Sequence, residues 1–361
     1  WKQDHNGEDY TVKYAKPIDA LMARRPDLGN LPLTCENTNT ALPYIDIVNE
    51  ILEYFLVNKK LTDEVAHDTG SATTPELLAE PQNIEPKAYE ILKTAVYPLT
   101  LPFDLWIETV REFCMQYDTP LWKLVAALQP LAGADFATNK KIAAEALGLA
   151  PAEYALLTDE AAIDKLPALY GFANDAETSA SLRIAKQLAD KLGITYKELV
   201  ELVQTRFINP ELDDLVLLKK LSITASDVFR FKKANGFKAL TADEQAAFEK
   251  KVSDATALYG IDIKAAIETA WTNNVFSRIL LLNDTVSACN FETTVVSYAD
   301  KEALKFDWLK FNLFIRLWKK LGWPMNEVDR LMNVFMPAAM SIVFNDPSKP
   351  EADRAKALAS G

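Results

Sequence analysis

Histidine is nearly missing from this sequence: His5 and His67 are the two present in 361 residues. A metal cage or a pH switch built on imidazole therefore has little material. Cysteine is almost as rare. Cys35, Cys114 and Cys289 lie far apart, with no CxxC or Cys/His spacing, and an odd, sparse set makes no disulfide framework. They read as reduced, mostly buried thiols. There is no GxSxG elbow and no glycine-rich phosphate loop. The longest run without charge, Leu331 to Asn345, contains Pro337 and falls short of the ~20 apolar residues that span a bilayer. Insertion into a membrane by this chain alone is not expected. No secretory signal is evident, and Trp1-Lys2-Gln3-Asp4 reads as the cut end of a longer protein. Positive charge is outweighed, 39 Lys and Arg against 51 Asp and Glu, for a net charge of −12. Phosphate backbones and anionic membrane surfaces are repelled on average, so nucleic acid is not an expected partner.

What is present favours a helical body. Hydrophobic residues make up 49% of the chain and charged residues 25%, enough to bury a large core under an ordinary surface. Glycine is scarce, while Ala, Leu, Lys and Glu are plentiful. The stretch to about Asn39 is polar and irregular, with a short helix expected at Pro17 to Ala23. A helix is expected from Pro43 to Asn58, its buried stripe formed by Ile47, Ile51, Leu52, Phe55 and Leu56, with Glu50 and Glu53 elsewhere. Leu61 to Gln82 reads as a loop with one short helix at Pro75 to Ala79. Another helix fits Pro86 to Ala95, ended by Pro98 to Pro102.

Beyond that point one turn pattern recurs. It occurs at Tyr117-Asp118-Thr119-Pro120, Leu147-Gly148-Leu149-Ala150, Leu192-Gly193-Ile194-Thr195, Leu221-Ser222-Ile223-Thr224, Tyr259-Gly260-Ile261-Asp262 and Leu321-Gly322-Trp323-Pro324. An apolar residue ends one helix, and a left-handed residue closes it. The next residue, usually apolar, packs back on that helix. Thr or Asp then caps the following helix, or Pro opens it. Thr195 with Glu198, and Thr224 with Asp227, have capping-box spacing. Asp118 and Ser222 stand where glycine fits best. The turns are unevenly spaced, so the expected fold is all-α, an irregular stack of αα-hairpins rather than a regular solenoid. Asn290 to Tyr298 is the segment most compatible with an extended strand. Three regions are expected: a helical module with long loops over 1–98, an αα-hairpin domain over 99–345, and a polar tail over 346–361.

Candidate chemistry has plainer readings. His67-Asp68 beside Thr69-Gly70-Ser71 fits a polar loop. Asp213-Asp214 and Asp243-Glu244 fall near helix starts, where acids are favoured. Trp271, Phe276, Trp308, Trp318 and Trp323 have the spacing of core residues rather than of a carbohydrate platform. A glycan-cleaving enzyme would need convergent acids that the sequence does not announce. No catalytic, cofactor-binding or metal-ligating residue is expected.

Three segments carry a family likeness. The first is Arg24-Arg25-Pro26-Asp27-Leu28, continuing through Leu33, Cys35-Glu36-Asn37-Thr38-Asn39-Thr40 and Pro43-Tyr44-Ile45 to Val48-Asn49-Glu50-Ile51-Leu52-Glu53. The second is Ala95-Val96-Tyr97-Pro98-Leu99 with Leu101-Pro102-Phe103-Asp104-Leu105. The third is Phe314-Ile315-Arg316-Leu317-Trp318-Lys319-Lys320-Leu321-Gly322-Trp323. In composition and order they resemble the A component of bacterial Tc (toxin complex) toxins, including its region related to the Salmonella virulence plasmid A protein. The resemblance implies a non-catalytic segment of the helical shell of a pentameric subunit that binds cells and translocates an enzyme. It implies partners among other segments and protomers of that homopentamer, and a host cell-surface receptor. It implies a full-length toxin made in the bacterial cytoplasm and secreted or surface-associated without a classical signal peptide. The isolated chain is expected to be monomeric. The alternative is a general helical protein-binding scaffold.

From the residues themselves, Pro102 and Asp104 fit a helix start, with Asp104 at its positive end. Leu304, Trp308, Phe311, Ile315 and Trp318 follow a helical rhythm, and Leu309, Leu313, Phe314 and Leu317 broaden the apolar surface. That helix is expected to be buried on more than one side. With two histidines, pH sensitivity is expected only from carboxylates at low pH or from Lys and Tyr at high pH.

Overall fold

The computed structural model describes residues 18, 44–59, 84–128, 136–215, 218, 221–234, 237–284, 291–298 and 301–361. The chain divides into two compact units, Trp1–Thr94 and Ala95–Gly361. Among the described residues, helices are joined by short turns, and one two-stranded sheet interrupts them, so the protein is all-α.

In the first unit, helix α1 (Tyr44–Asn58) packs on α2 (Pro86–Thr94). The expected apolar stripe of α1 is only partly the inward face. Leu52 and Phe55 are exposed, while Glu53 is buried. The Glu53 carboxylate accepts from the Glu85 backbone N–H at 2.8 Å and from the Tyr89 hydroxyl at 2.5 Å. It thus satisfies a donor at the start of α2, where a helix leaves N–H groups unpaired. Ile18 is helical and exposed. The rest of the expected helix at Pro17 to Ala23, the helix at Pro75 to Ala79, and the His67 to Ser71 loop lie outside the described residues.

The second unit begins with α3 (Leu105–Gln116), α4 (Leu121–Ala127), α5 (Phe136–Ala146), α6 (Pro151–Leu157) and α7 (Leu166–Tyr170). It continues through α8 (Asp175–Leu182), α9 (Ala185–Leu192), α10 (Tyr196–Val203), α11 (Ala225–Phe231), α12 (Ala242–Tyr259) and α13 (Ile263–Thr272). After the sheet come α14 (Lys305–Leu321), α15 (Met325–Phe335), α16 (Ala338–Asn345) and α17 (Glu351–Ser360).

All six expected turns have their left-handed residue in place. Asp118, Gly148, Gly193, Ser222, Gly260 and Gly322 have φ between 50° and 72°. They close in two ways. Thr119, Leu149, Ile194 and Ile223 each donate their backbone N–H back to the carbonyl five residues earlier, and the last three are buried. At Gly260 and Gly322 the single bond reaches four residues back, to Thr256 and Trp318. There the following Ile261 and Trp323 stay exposed. The packing-back expected of these two residues fails because nothing ties their own N–H to the preceding helix. The capping boxes at Thr195/Glu198 and Thr224/Asp227 are formed, and a third joins Thr241 to Glu244. Asp104 caps α3 by accepting from the N–H groups of Trp106 and Ile107.

Strand β2 (Thr294–Ser297) falls in the segment expected to be extended. Its partner β1 (Leu281–Asp284), antiparallel with Leu281 opposite Ser297, has no alternating pattern to announce it.

Two apolar cores fill this unit. The smaller gathers Val228, Phe229, Phe248, Ile263, Ile267 and Phe276 from α11 to α13 and the turn that follows. The larger surrounds α14, in which every residue from Phe306 to Arg316 is buried. The C-terminal segment is not the expected polar tail. It forms α17, which packs on α14 and α16 and buries Arg354, Ala355, Ala357 and Leu358. Its small alanines allow close approach, and Glu351 and Asp353 favour its N-terminal turn. The boundary also precedes residue 98, because Val96 and Leu99 pack against the larger core.

Candidate functional site

Of the acids named from the sequence, Glu244 has a structural geometry. Asp213-Asp214 lie in the 3-10 segment Pro210–Leu215. Asp243 and Glu244 occupy the first turn of α12. Glu244 accepts from the Thr241 N–H at 2.8 Å and from Arg230 at 2.9 Å. The Thr241 N–H, and then Arg230, hold its carboxyl down at about 2. The aromatics do not assemble into one platform. Trp271 and Phe276 pack against Phe229 in the smaller core, with centroids 5.6 and 5.8 Å away. Trp308 stacks on Phe311 in the larger core, and Trp318 borders it. Trp323 is exposed, so core packing holds for the other four only. Cys114 is a buried free thiol.

The polar groups that matter most to the architecture sit on α14, where the sequence shows chiefly an apolar surface. Arg316 donates through Nη2 to Val96 O, and through Nη1 to Leu101 O at 2.6 Å and Leu99 O at 3.2 Å. Its Nε donates to Asn312 Oδ1 at 2.7 Å, and Asn312 Nδ2 donates to Leu169 O at 3.1 Å. Burial lowers the guanidinium to about 10, so it remains charged at neutral pH. This clamp joins the third resemblance segment to the second across 215 residues of chain. The neighbouring Lys319 of that segment donates to Leu192 O at 2.7 Å and Gly193 O at 2.9 Å, placing a cation at the negative end of α9. Tyr97 of the second segment packs against Gly171, whose position leaves no room for a Cβ.

A second polar group lies further along α14. Asp307 accepts from Tyr298 Oη and from Leu304 N, both at 2.8 Å. Lys310 Nζ donates to Ile208 O at 3.1 Å and lies amid the rings of Phe207, Phe306 and Phe344. Burial pushes this amine down to about 7. Lys310 is therefore a group titrating near neutrality, against the expectation that only acids at low pH and bases at high pH would respond. Burial and the Asp307 charge raise the Tyr298 hydroxyl well above its ordinary range.

Two hollows open on α15. One, of about 550 Å³, is bordered by Glu201, Gln204, Arg206, Asn326, Asp329 and Arg330. Its central acid is already occupied: Asp329 accepts from the N–H groups of Phe207 at 2.8 Å and Arg206 at 3.0 Å. The other, of about 510 Å³, is bordered by Met332, Phe335, Met336 and Phe344 among others.

Among the described residues, α3 carries an unbalanced surface. Trp106, Val110, Phe113 and Tyr117 follow +4, +3, +4 spacing and are all exposed, Trp106 by 64% and Phe113 by 63%. The opposite side is anchored by buried Cys114 and by Arg111, which forks onto Glu145 of α5 with two bonds of 2.7 Å. Leu124, Val125 and Leu128 extend the exposed apolar surface along and just beyond α4.

Among the described residues, no group of three or more His, Cys, Asp or Glu is arranged to hold a metal. Nor, among them, is any helix long and apolar enough to cross a membrane. No family model matches the chain, and neither a curated protein nor a solved structure matches it.

Proposed function

We propose that this chain is a non-catalytic segment of the helical shell of a Tc-type toxin A subunit. The observation that carries the reading is the Arg316 clamp. The second and third segments with the family likeness are tied together by a buried charge and its backbone acceptors. Their unusual residues thus have a shape-holding role, which is what a shell segment requires. Lys319 at the end of α9 and Tyr97 against Gly171 have the same character. In this reading the full-length toxin is secreted or surface-associated and translocates an enzyme into cells. The partners are neighbouring segments and protomers of a homopentamer, and a host cell-surface receptor. The exposed faces of α3 and α4 are then contact surfaces within the larger subunit.

The exposed α3 stripe also favours a second reading, a helical protein-binding scaffold outside any toxin. Negative-stain microscopy of the full-length parent polypeptide separates the two. Five-fold, bell-shaped particles are expected for the shell segment. A monodisperse parent that forms no ring favours the scaffold.

A further inference from the structure

We draw no further inference here: the strongest candidate, the exposed apolar face of α3 and α4 around Trp106 and Phe113, carries nothing further because nothing in the structure shows what covers it.

Discussion

Arg316 and Lys310 lie six positions apart on one buried helix and act on stability in opposite directions. Arg316 has acceptors for its charge in Val96 O, Leu99 O, Leu101 O and Asn312 Oδ1. Arg316→Met leaves those acceptors without the donor that joins the second and third segments. A loss of about 3–5 kcal/mol is expected, read as a lower urea midpoint. Arg316→Lys recovers only part of it, because an ammonium lacks the planar fork. Lys310 has one backbone acceptor, and burial lowers its amine to about 7. The unfolded chain therefore binds more protons between about pH 7 and the ordinary lysine value near 10.4. Wild-type stability is expected to rise with pH across that window relative to Lys310→Met, and the cost is largest below it. Parallel urea titrations at pH 7 and pH 10 check the sign. Neither role was legible in the sequence. A Lys or Arg within an apolar helix reads as its solvent side, and only the packing of segments far apart in sequence reveals the acceptors. Glu53 is hidden for the same reason, since its partners, Glu85 just before α2 and Tyr89 within it, lie 32 and 36 residues away.

Helix ends were the most legible elements, because their chemistry is local. A left-handed residue and the Thr, Asp or Pro that caps or opens the next helix lie within a few letters, and all six left-handed residues stand where the pattern put them. Ser222→Gly is expected to stabilise the chain by about 1 kcal/mol, since Ser222 carries a left-handed φ of 53° at the cost of its Cβ. Thermal melting followed by circular dichroism measures it. Gly171 shows the converse. At φ 68° a Cβ would lie 2.5 Å from the Tyr97 ring, so Gly171→Ala is expected to cost more than about 2 kcal/mol. The turns at Gly171, Lys233 and Asn274 were missed, since no capping Thr, Asp or Pro directly follows the residue after them. Strand β1 was missed because Leu281-Leu282-Asn283-Asp284 pairs through backbone bonds that its side chains do not encode. The C-terminal helix α17 is hard to tell from a polar tail because its inward face is small, two alanines, one leucine and an arginine.

At the scale of the whole molecule, the all-α class followed from composition and turn chemistry, whereas the exposure of the apolar stripe on α3 did not. Trp106, Val110, Phe113 and Tyr117 have the spacing of a buried stripe, and the sequence alone has no means of telling an internal partner from an external one. In a shell segment that partner is another part of the subunit or a neighbouring protomer. Phe113→Glu is then expected to leave the melting temperature of this chain unchanged while weakening assembly of the parent protein. Size-exclusion chromatography of both resolves the difference. The shell reading itself is tested most directly by electron microscopy of the full-length parent polypeptide. Five-fold particles with the α3 stripe covered by neighbouring protein are expected; a parent that stays monomeric, or an assembly that leaves this stripe in solvent, would contradict it.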